Sequence, residues 1–477
     1  MKSAKSLVSE HKLNRGSYLY SSSLGNILIG CPPEILKVMM VKHVPMPDTI
    51  VIPGTLYNKN SSQACLEFPF YHFLFIQQGL ARGNKFRVMA KKSVCKKLAD
   101  LLRVTLIGPT LDEIMGAEKK LNLPNKLVKS KMAQIVKEAD FLAPKNANGK
   151  NYRMNEMIQF IPFEVGDQST IYEAYQDHPK VTIKRTGEDE FDIACKKKIK
   201  CKLKAQDNPA PVYEIKGTPI SKKERSSKSM FTVRCLGSSE GFDPTRPANG
   251  YLLRINGKWV LWDSPAFLKN HLDTIGLPFE DLDAIFISHV HEDHLDVMET
   301  IREGKKTDIY TSPEIFHCML LKLQAIFNCS YQQTKKYFNF HPIYVNKPFK
   351  LFGATFEMFY SSHVIPALGL RLSVPKGKKD SRLFLSGDTL SKRMIQNLSK
   401  AKIYSAKRKK EVENFVSDKD RYDILFVDSG SGVIHGDYAD YAKNPNKVVY
   451  MHTGKIAQDI PKHHLFLKSG QRFIIHH

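Results

Sequence analysis

Within ten residues, Ile285-Phe-Ile-Ser-His289-Val-His291-Glu-Asp293-His294, an apolar run gives way to His-x-His-x-Asp-His. Such a run is expected to be a buried strand, and α/β proteins place their chemistry at the ends of their strands. Three imidazoles and a carboxylate within six residues can supply ligands to two metal ions from one loop. Imidazole nitrogen suits zinc, and the carboxylate adds negative charge. A solvated His-rich loop is the bland alternative, but it would not need a buried strand before it with every donor on this spacing.

Similar donors end other apolar runs. Trp259-Val-Leu-Trp leads to Asp263, and Ser362-His363-Val-Ile-Pro precedes Ala367-Leu-Gly-Leu-Arg-Leu. Leu383-Phe-Leu-Ser-Gly leads to Asp388-Thr, and Val448-Val-Tyr-Met leads to His452-Thr-Gly454. A glycine-bearing segment, Phe231 to Gly241, and the run Asn249-Gly-Tyr-Leu-Leu-Arg-Ile255 come before them all. Taken in this order, the segments resemble the motifs of the metallo-β-lactamase superfamily. The resemblance implies an α/β fold, an αββα sandwich over residues 230–477.

Carried over residue by residue, the resemblance implies that His289, His291 and His363 bind one metal. Asp293, His294 and His452 would bind a second, and Asp388 would bridge the two. Two divalent ions about 3.5–4 Å apart can activate a shared water by lowering its pKa from near 16 towards 7. They would also stabilise the attacking and leaving oxygens. The ions expected are zinc, with manganese or iron as alternatives. Asp263 is expected to orient a ligand histidine rather than bind metal.

The third motif and Leu385-Ser-Gly-Asp388-Thr look more like the tRNA 3′-processing endonuclease and cyclic-nucleotide phosphodiesterase branch than like β-lactamases. In that branch a histidine upstream of the last ligand acts as general acid. His435, in Asp428-Ser-Gly-Ser-Gly-Val-Ile-His435-Gly-Asp437, stands where such a residue would be. Asp293 and His435 are therefore the candidate catalytic residues. No basic arm interrupts 294–363, and Leu295-Asp296 replaces the family's usual glycine after the histidines. The expected reaction is phosphodiester hydrolysis, on RNA or a cyclic nucleotide. Two alternatives stay open: acyl, lactone or thioester hydrolysis, and a non-catalytic metal- or ligand-dependent sensor on the same fold.

The chain has 477 residues, which makes two domains the prior. Residues 1–215 read as a degenerate copy of the catalytic domain or another α/β domain, 216–229 as a polar linker, and 230–477 as the catalytic domain. Ser17–Cys31 parallels the hairpin Gly250–Asp263, with Cys31 where Asp263 stands. Asp48–Thr55 parallels Asp283–Val290 but no histidine cluster follows it, so Thr55 and Tyr57 are not expected to take part in chemistry. Phe86–Leu102 parallels Asp308–Leu323, and Met157–Val165 echoes Phe338–Val345. Every proposed ligand lies within 230–477.

With 72 basic and 48 acidic residues, the net charge of +24 favours polyanions. A generally lysine-rich surface would give the same surplus. The lysines of Lys196–Lys204 alternate as on a protected edge strand. Eight cysteines occur without a C-x-x-C pair, as free thiols in a reducing compartment would. There is no run of eighteen apolar residues and no apolar core near the N-terminus, so the protein reads as cytoplasmic with no membrane partner. A homodimer stays open as its assembly.

Overall fold

The computed structural model describes residues 8–13, 16–54, 65–172, 180–195, 197–203, 211–416, 421–430, 432, 434–453 and 460–476. Thr55 and Tyr57 lie outside them. The chain divides into two compact units. The first comprises Met1–Leu102, Tyr152–Val212 and Leu321–Thr334, and the second Arg103–Asn151, Tyr213–Leu320 and Lys335–His477.

In the second unit, one mixed sheet holds β11 (Phe231–Gly237), β12 (Gly250–Ile255), β13 (Lys258–Trp262), β14 (Leu282–Phe286), β15 (Thr307–Thr311) and β16 (Phe338–Pro342), closed by β24 (Arg472–His476) beside β11. The other holds, in order, β17 (Phe349–Leu351), β18 (Ala354–Tyr360), β19 (Leu368–Lys376), β20 (Lys379–Leu385), β21 (Ile424–Asp428), β22 (Val448–Met451) and β23 (Leu465–Phe466). β13 to β16 run parallel, as do β20 to β23. The central strands are apolar on both faces because both faces are covered.

The two sheets face each other through stacked Phe286 and Phe356 (ring centres 5.1 Å apart) and tilted Tyr251 and Phe426 (5.2 Å). The helix Pro313–Phe327 covers the outer face of the first, where Phe316 stacks on Phe340 at 3.9 Å. Cys318 and Met319 on this helix are buried in the core. The helices Lys392–Lys400 and Ala406–Glu413 cover the second sheet with Ile395, Leu398 and Val412. Both start on a serine, Ser391 or Ser405, whose Oγ accepts an N–H of the first turn. These layers form the αββα sandwich.

The first unit repeats the plan. Its six-stranded sheet runs β1 (Val8–Lys12), β2 (Tyr18–Ser22), β3 (Gly25–Ile29), β4 (Thr49–Val51), β5 (Phe86–Ala90), β6 (Ile158–Pro162). The first three strands are antiparallel and the rest parallel, as in β11–β16. β7 (Gln168–Tyr172), β8 (Val181–Arg185), β9 (Glu190–Cys195) and β10 (Lys197–Lys202) form an antiparallel sheet like β17–β20. The two sheets share a core containing Ile29, Val51, Met89, Ile183 and Phe191. The helix Lys92–Leu106 follows β5 as Pro313–Phe327 follows β15. The first half thus carries a degenerate second copy of the fold. β10 is an edge strand, which suits its lysines.

Residues 216–229, read from composition as a linker, contain the helix Lys222–Ser226, capped by Ser221. It buries Glu224, which pairs with Arg234 of β11 at 2.5 Å and Arg472 of β24 at 2.9 Å. All eight cysteines are free. No helix among the described residues is long and apolar enough to cross a membrane.

Candidate functional site

The candidate site lies where β13, β14, β20, β21 and β22 end. β14 ends at Phe286, and the chain then turns through Ser288 to His289. Asp263, just past β13, has a left-handed backbone (φ 56°) and is buried. Its Oδ1 accepts the Ser288 N–H at 2.7 Å, and its Oδ2 accepts the Ser288 hydroxyl at 2.8 Å. The same Oδ2 lies 2.9 Å from His294 Nδ1. One carboxylate therefore ties the end of β13 to the start and the end of the histidine loop, the orienting role expected of it.

His289, His291, His294 and His363 are each held by one ring nitrogen, leaving the other to face the cluster. His289 Nδ1 is 2.9 Å from Ser288 Oγ, and His291 Nε2 is 2.9 Å from the carbonyl of Thr105. His294 Nδ1 rests on Asp263, and His363 Nδ1 lies 3.1 Å from the carbonyl of Ile434. Anchoring of the outer nitrogen is how proteins aim metal-ligating imidazoles.

The inner atoms fall into two groups. His289 Nε2, His291 Nδ1 and His363 Nε2 converge, at 3.1 Å for the first pair and 3.3 Å for the second. Asp293, His294 and His452 form the other group, with His452 Nε2 3.3 Å from Asp293 Oδ2. Asp388 stands between them: its Oδ2 is 3.8 Å from His289 Nε2, 3.4 Å from His294 Nε2 and 3.6 Å from His452 Nε2. It is carried there by Gly387 (φ 60°), where a Cβ would meet the Leu368 carbonyl oxygen at 2.2 Å. All seven sequence-predicted donors come together, each at most 9% exposed.

The donors fit divalent cations. His294 Nε2 and Asp388 Oδ1 are buried with no hydrogen-bond partner in the protein, an arrangement that is unfavourable for any polar group and more so for a charged one. A tetrahedral shell of nitrogen and oxygen at about 2.1 Å puts neighbouring donors about 3.4 Å apart, near the spacings seen here. Burial, reinforced by neighbouring imidazoles, holds His289 and His291 well below the usual range, and burial brings His363 to about 4. These three are neutral, the ligating form. Burial works against protonation of His452 too, but Asp388, Asp293 and Asp428 outweigh it and lift it to about 9.

His435 is also here. Its Nδ1 lies 3.1 Å from Asp428 Oδ2 and 3.6 Å from Asp388 Oδ2, and its ring stacks on His452 at 4.3 Å. Asp428, at the end of β21, is fully buried. It accepts the N–H groups of Thr389, Gly430 and Gly436 at 2.9, 2.9 and 3.2 Å. Burial disfavours its charge, but His435 and, to a smaller degree, His452 keep its carboxyl below the ordinary range. Asp428 has no role that its sequence context alone assigns, although it ends an apolar run just as Asp263 does. Thr105 offered no signal, because its contribution is a carbonyl.

A second buried network supports His363. Ser362 Oγ donates to Glu138 at 3.0 Å, and Arg408 pairs with Glu138 through Nε at 2.8 Å and Nη2 at 3.0 Å. Arg408 also donates to the carbonyls of Tyr360 and Ser361. Thr105 and Glu138 both lie outside 230–477.

The sandwich, with its donors at these strand ends, has the metallo-β-lactamase fold. A family model described as anti-Pycsar protein Apyc1 matches residues 231–408. From Dictyostelium discoideum, cAMP/cGMP-dependent 3′,5′-cAMP/cGMP phosphodiesterase B is 22% identical over 490 residues, covering 91% of this chain and 42% of that protein. The cGMP-dependent 3′,5′-cGMP phosphodiesterase A of the same organism is 31% identical over 184 residues, covering 36% of this chain and 21% of its own. The chain spans less than half the length of these relatives. Among solved structures, the metallo-β-lactamase fold protein YhfI from Bacillus subtilis is 16% identical, with a TM-score of 0.39 over 52% of this chain and 100% of its own.

Proposed function

We propose that this chain is a metal-dependent phosphodiesterase acting on a 3′,5′-cyclic nucleotide. The carrying observation is the convergence of two donor groups on Asp388 beside the Asp428–His435 pair. The two Dictyostelium relatives, both described as cyclic-nucleotide phosphodiesterases, support the substrate class. His289, His291 and His363 would hold one divalent ion, Asp293, His294 and His452 a second, with Asp388 shared; zinc suits this nitrogen-rich set. The ions, when bound, would supply an acidified water and positive charge for the phosphoryl oxygens.

The chain's own residues do the rest. Ser288, Thr105, Asp263 and Ile434 fix the imidazole planes, so little reorganisation accompanies substrate entry. Asp293 would accept a proton from the attacking water. His435, held through Nδ1 by Asp428 at 3.1 Å, would give its Nε2 proton to the departing oxygen. The first copy, without a donor cluster among its described residues, is assigned a structural or substrate-binding role.

The test is turnover of cAMP, cGMP and bis-p-nitrophenyl phosphate by zinc- or manganese-loaded protein, against p-nitrophenyl acetate. Hydrolysis of the phosphodiesters alone is expected. Turnover of the acetate alone would replace the proposal with acyl hydrolysis, and turnover of none would leave the sensor reading. The surplus of positive charge favours RNA as a second substrate. An RNA bound through six to ten phosphates would lose about 10³–10⁵ in affinity between 50 and 200 mM salt, whereas a cyclic nucleotide would show a shallow response.

A further inference from the structure

A pocket of about 440 Å³ is lined by residues of β18, β19 and the helices Lys129–Leu142 and Ala406–Glu413, and by none of the seven donors. Its volume lies in the range of small-molecule sites. Aromatic and cationic groups share its lining: Phe359 and Phe415 with Lys131, Arg371, Lys407 and Arg408. The Arg371 guanidinium lies over the Phe359 ring at 4.5 Å, and the Phe359 and Phe415 rings are 4.9 Å apart. Arg408 is spent on Glu138 and on two carbonyls. Lys131 and Lys407 are exposed, and among the described residues neither has a carboxylate within ion-pair distance. The one acid in the lining, Glu411, leans on Arg408 at 3.8 Å. The mouth therefore carries two uncompensated ammonium groups above a wall of rings and a flat guanidinium. That combination recognises an anion attached to an aromatic body: rings and guanidinium stack on a base, and ammonium groups meet a phosphate.

The floor of the pocket is also the support of His363. Arg408 lines the cavity and donates to the carbonyls of Tyr360 and Ser361, and Glu138 joins Arg408 to the Ser362 hydroxyl. A ligand pressing on Arg408 acts on the backbone immediately before a proposed metal ligand. We propose that this pocket is a regulatory site for a nucleoside monophosphate, separate from the metal site and read through Arg408 and Glu138. It goes beyond the proposed hydrolysis: binding at the pocket stands apart from that reading, and its regulatory effect rests on it.

Calorimetric titration of the full chain with 5′-GMP tests the site. Asp388→Asn is used to weaken nucleotide binding at the metal cluster while preserving side-chain shape. One GMP per chain is expected to bind Asp388→Asn, with at least a tenfold higher Kd once Lys131→Glu and Lys407→Glu are added. Both lysines are solvent-exposed, so these changes should leave the fold intact, checked by circular dichroism. Absence of GMP binding to Asp388→Asn, or equal affinity in the triple variant, would overturn the site. The regulatory part is read on bis-p-nitrophenyl phosphate, where a competitor at the metal site changes KM alone. GMP is expected to change kcat at least twofold in the wild-type chain and not in Lys131→Glu/Lys407→Glu. An unchanged kcat in the wild-type chain would overturn regulation.

Discussion

The two copies of the fold differ most at the ends of corresponding strands. Past β13 stands Asp263, and past β14 a loop of histidines; past β3 stands the buried thiol of Cys31, and β4 leads through Ile52 to Pro53 and Gly54. Each copy nevertheless has the same run of antiparallel and then parallel strands, and its own apolar core. Burial of the strands builds the sandwich, and the donors are an addition that the fold does not require. Buried charge is handled differently too. In the first unit Glu67, at the start of the helix after β4, meets Lys322 at 2.5 Å, both almost fully buried, so the charge is neutralised within the protein. In the second, Glu138 and Glu224 are likewise paired with arginines, but at the site carboxylates and imidazoles face one another with His294 Nε2 and Asp388 Oδ1 left without a hydrogen bond. A buried charge must find a partner, and among the described residues the donor groups that could take a cation lie in the second unit.

The largest effect expected from this contrast is on chemistry. His291→Ala should lower kcat/KM on bis-p-nitrophenyl phosphate by more than about 10³-fold with unchanged circular dichroism. Asp388→Ala should remove most of both metal equivalents, measured by elemental analysis, because the shared carboxylate offsets repulsion between two close cations. Retention of both equivalents would remove Asp388 from its shared position.

His435→Ala should cost about 10²–10⁴-fold in kcat, the usual contribution of a general acid, with metal content unchanged. Asp428→Asn should follow it with a smaller loss. If His435→Ala instead released metal, His435 would be a ligand, since it also stands within ligand distance of Asp388 and His452.

In the first unit, Lys322→Ala removes the ammonium that Glu67 meets at 2.5 Å and should destabilise the protein by about 3–5 kcal/mol in denaturant unfolding. The kcat per folded molecule should stay the same; a fall would erase the division between a structural copy and a chemical one.

The smallest effect concerns Glu224. Burial disfavours its charge, but Arg234 and Arg472 hold its carboxyl below the ordinary range. A depressed folded-state pKa gives stability that is complete above the unfolded value, about 4.3, and is lost as pH falls through the folded one. Glu224→Gln should therefore flatten the acid limb of stability below about pH 5. An unchanged acid limb would assign acid unfolding to other carboxylates.

The histidine cluster, which begins three residues beyond β14, and the strand-end residues Asp263, His363, Asp388 and His452, each one to three residues beyond an apolar strand, were legible because chain position and spatial position coincide there. Repetition of the strand order was legible for the same reason. Asp428 was visible on that rule and gained its role only when His435 folded back onto it. The segment 216–229 looked like a linker because its lone acid among lysines gives no hint of two arginines arriving from β11 and β24.

By itself, the sequence determined where strands form, which donors end them and in what order, because side-chain alternation and loop chemistry are local properties of the chain. Only the tertiary structure decided which carbonyl turns His291, which carboxylate holds His435 and which arginine supports His363. Those partners come from Thr105, Asp428 and Arg408, brought in by sheet and helix packing. Packing depends on the summed burial of many side chains, and no short stretch of sequence records it.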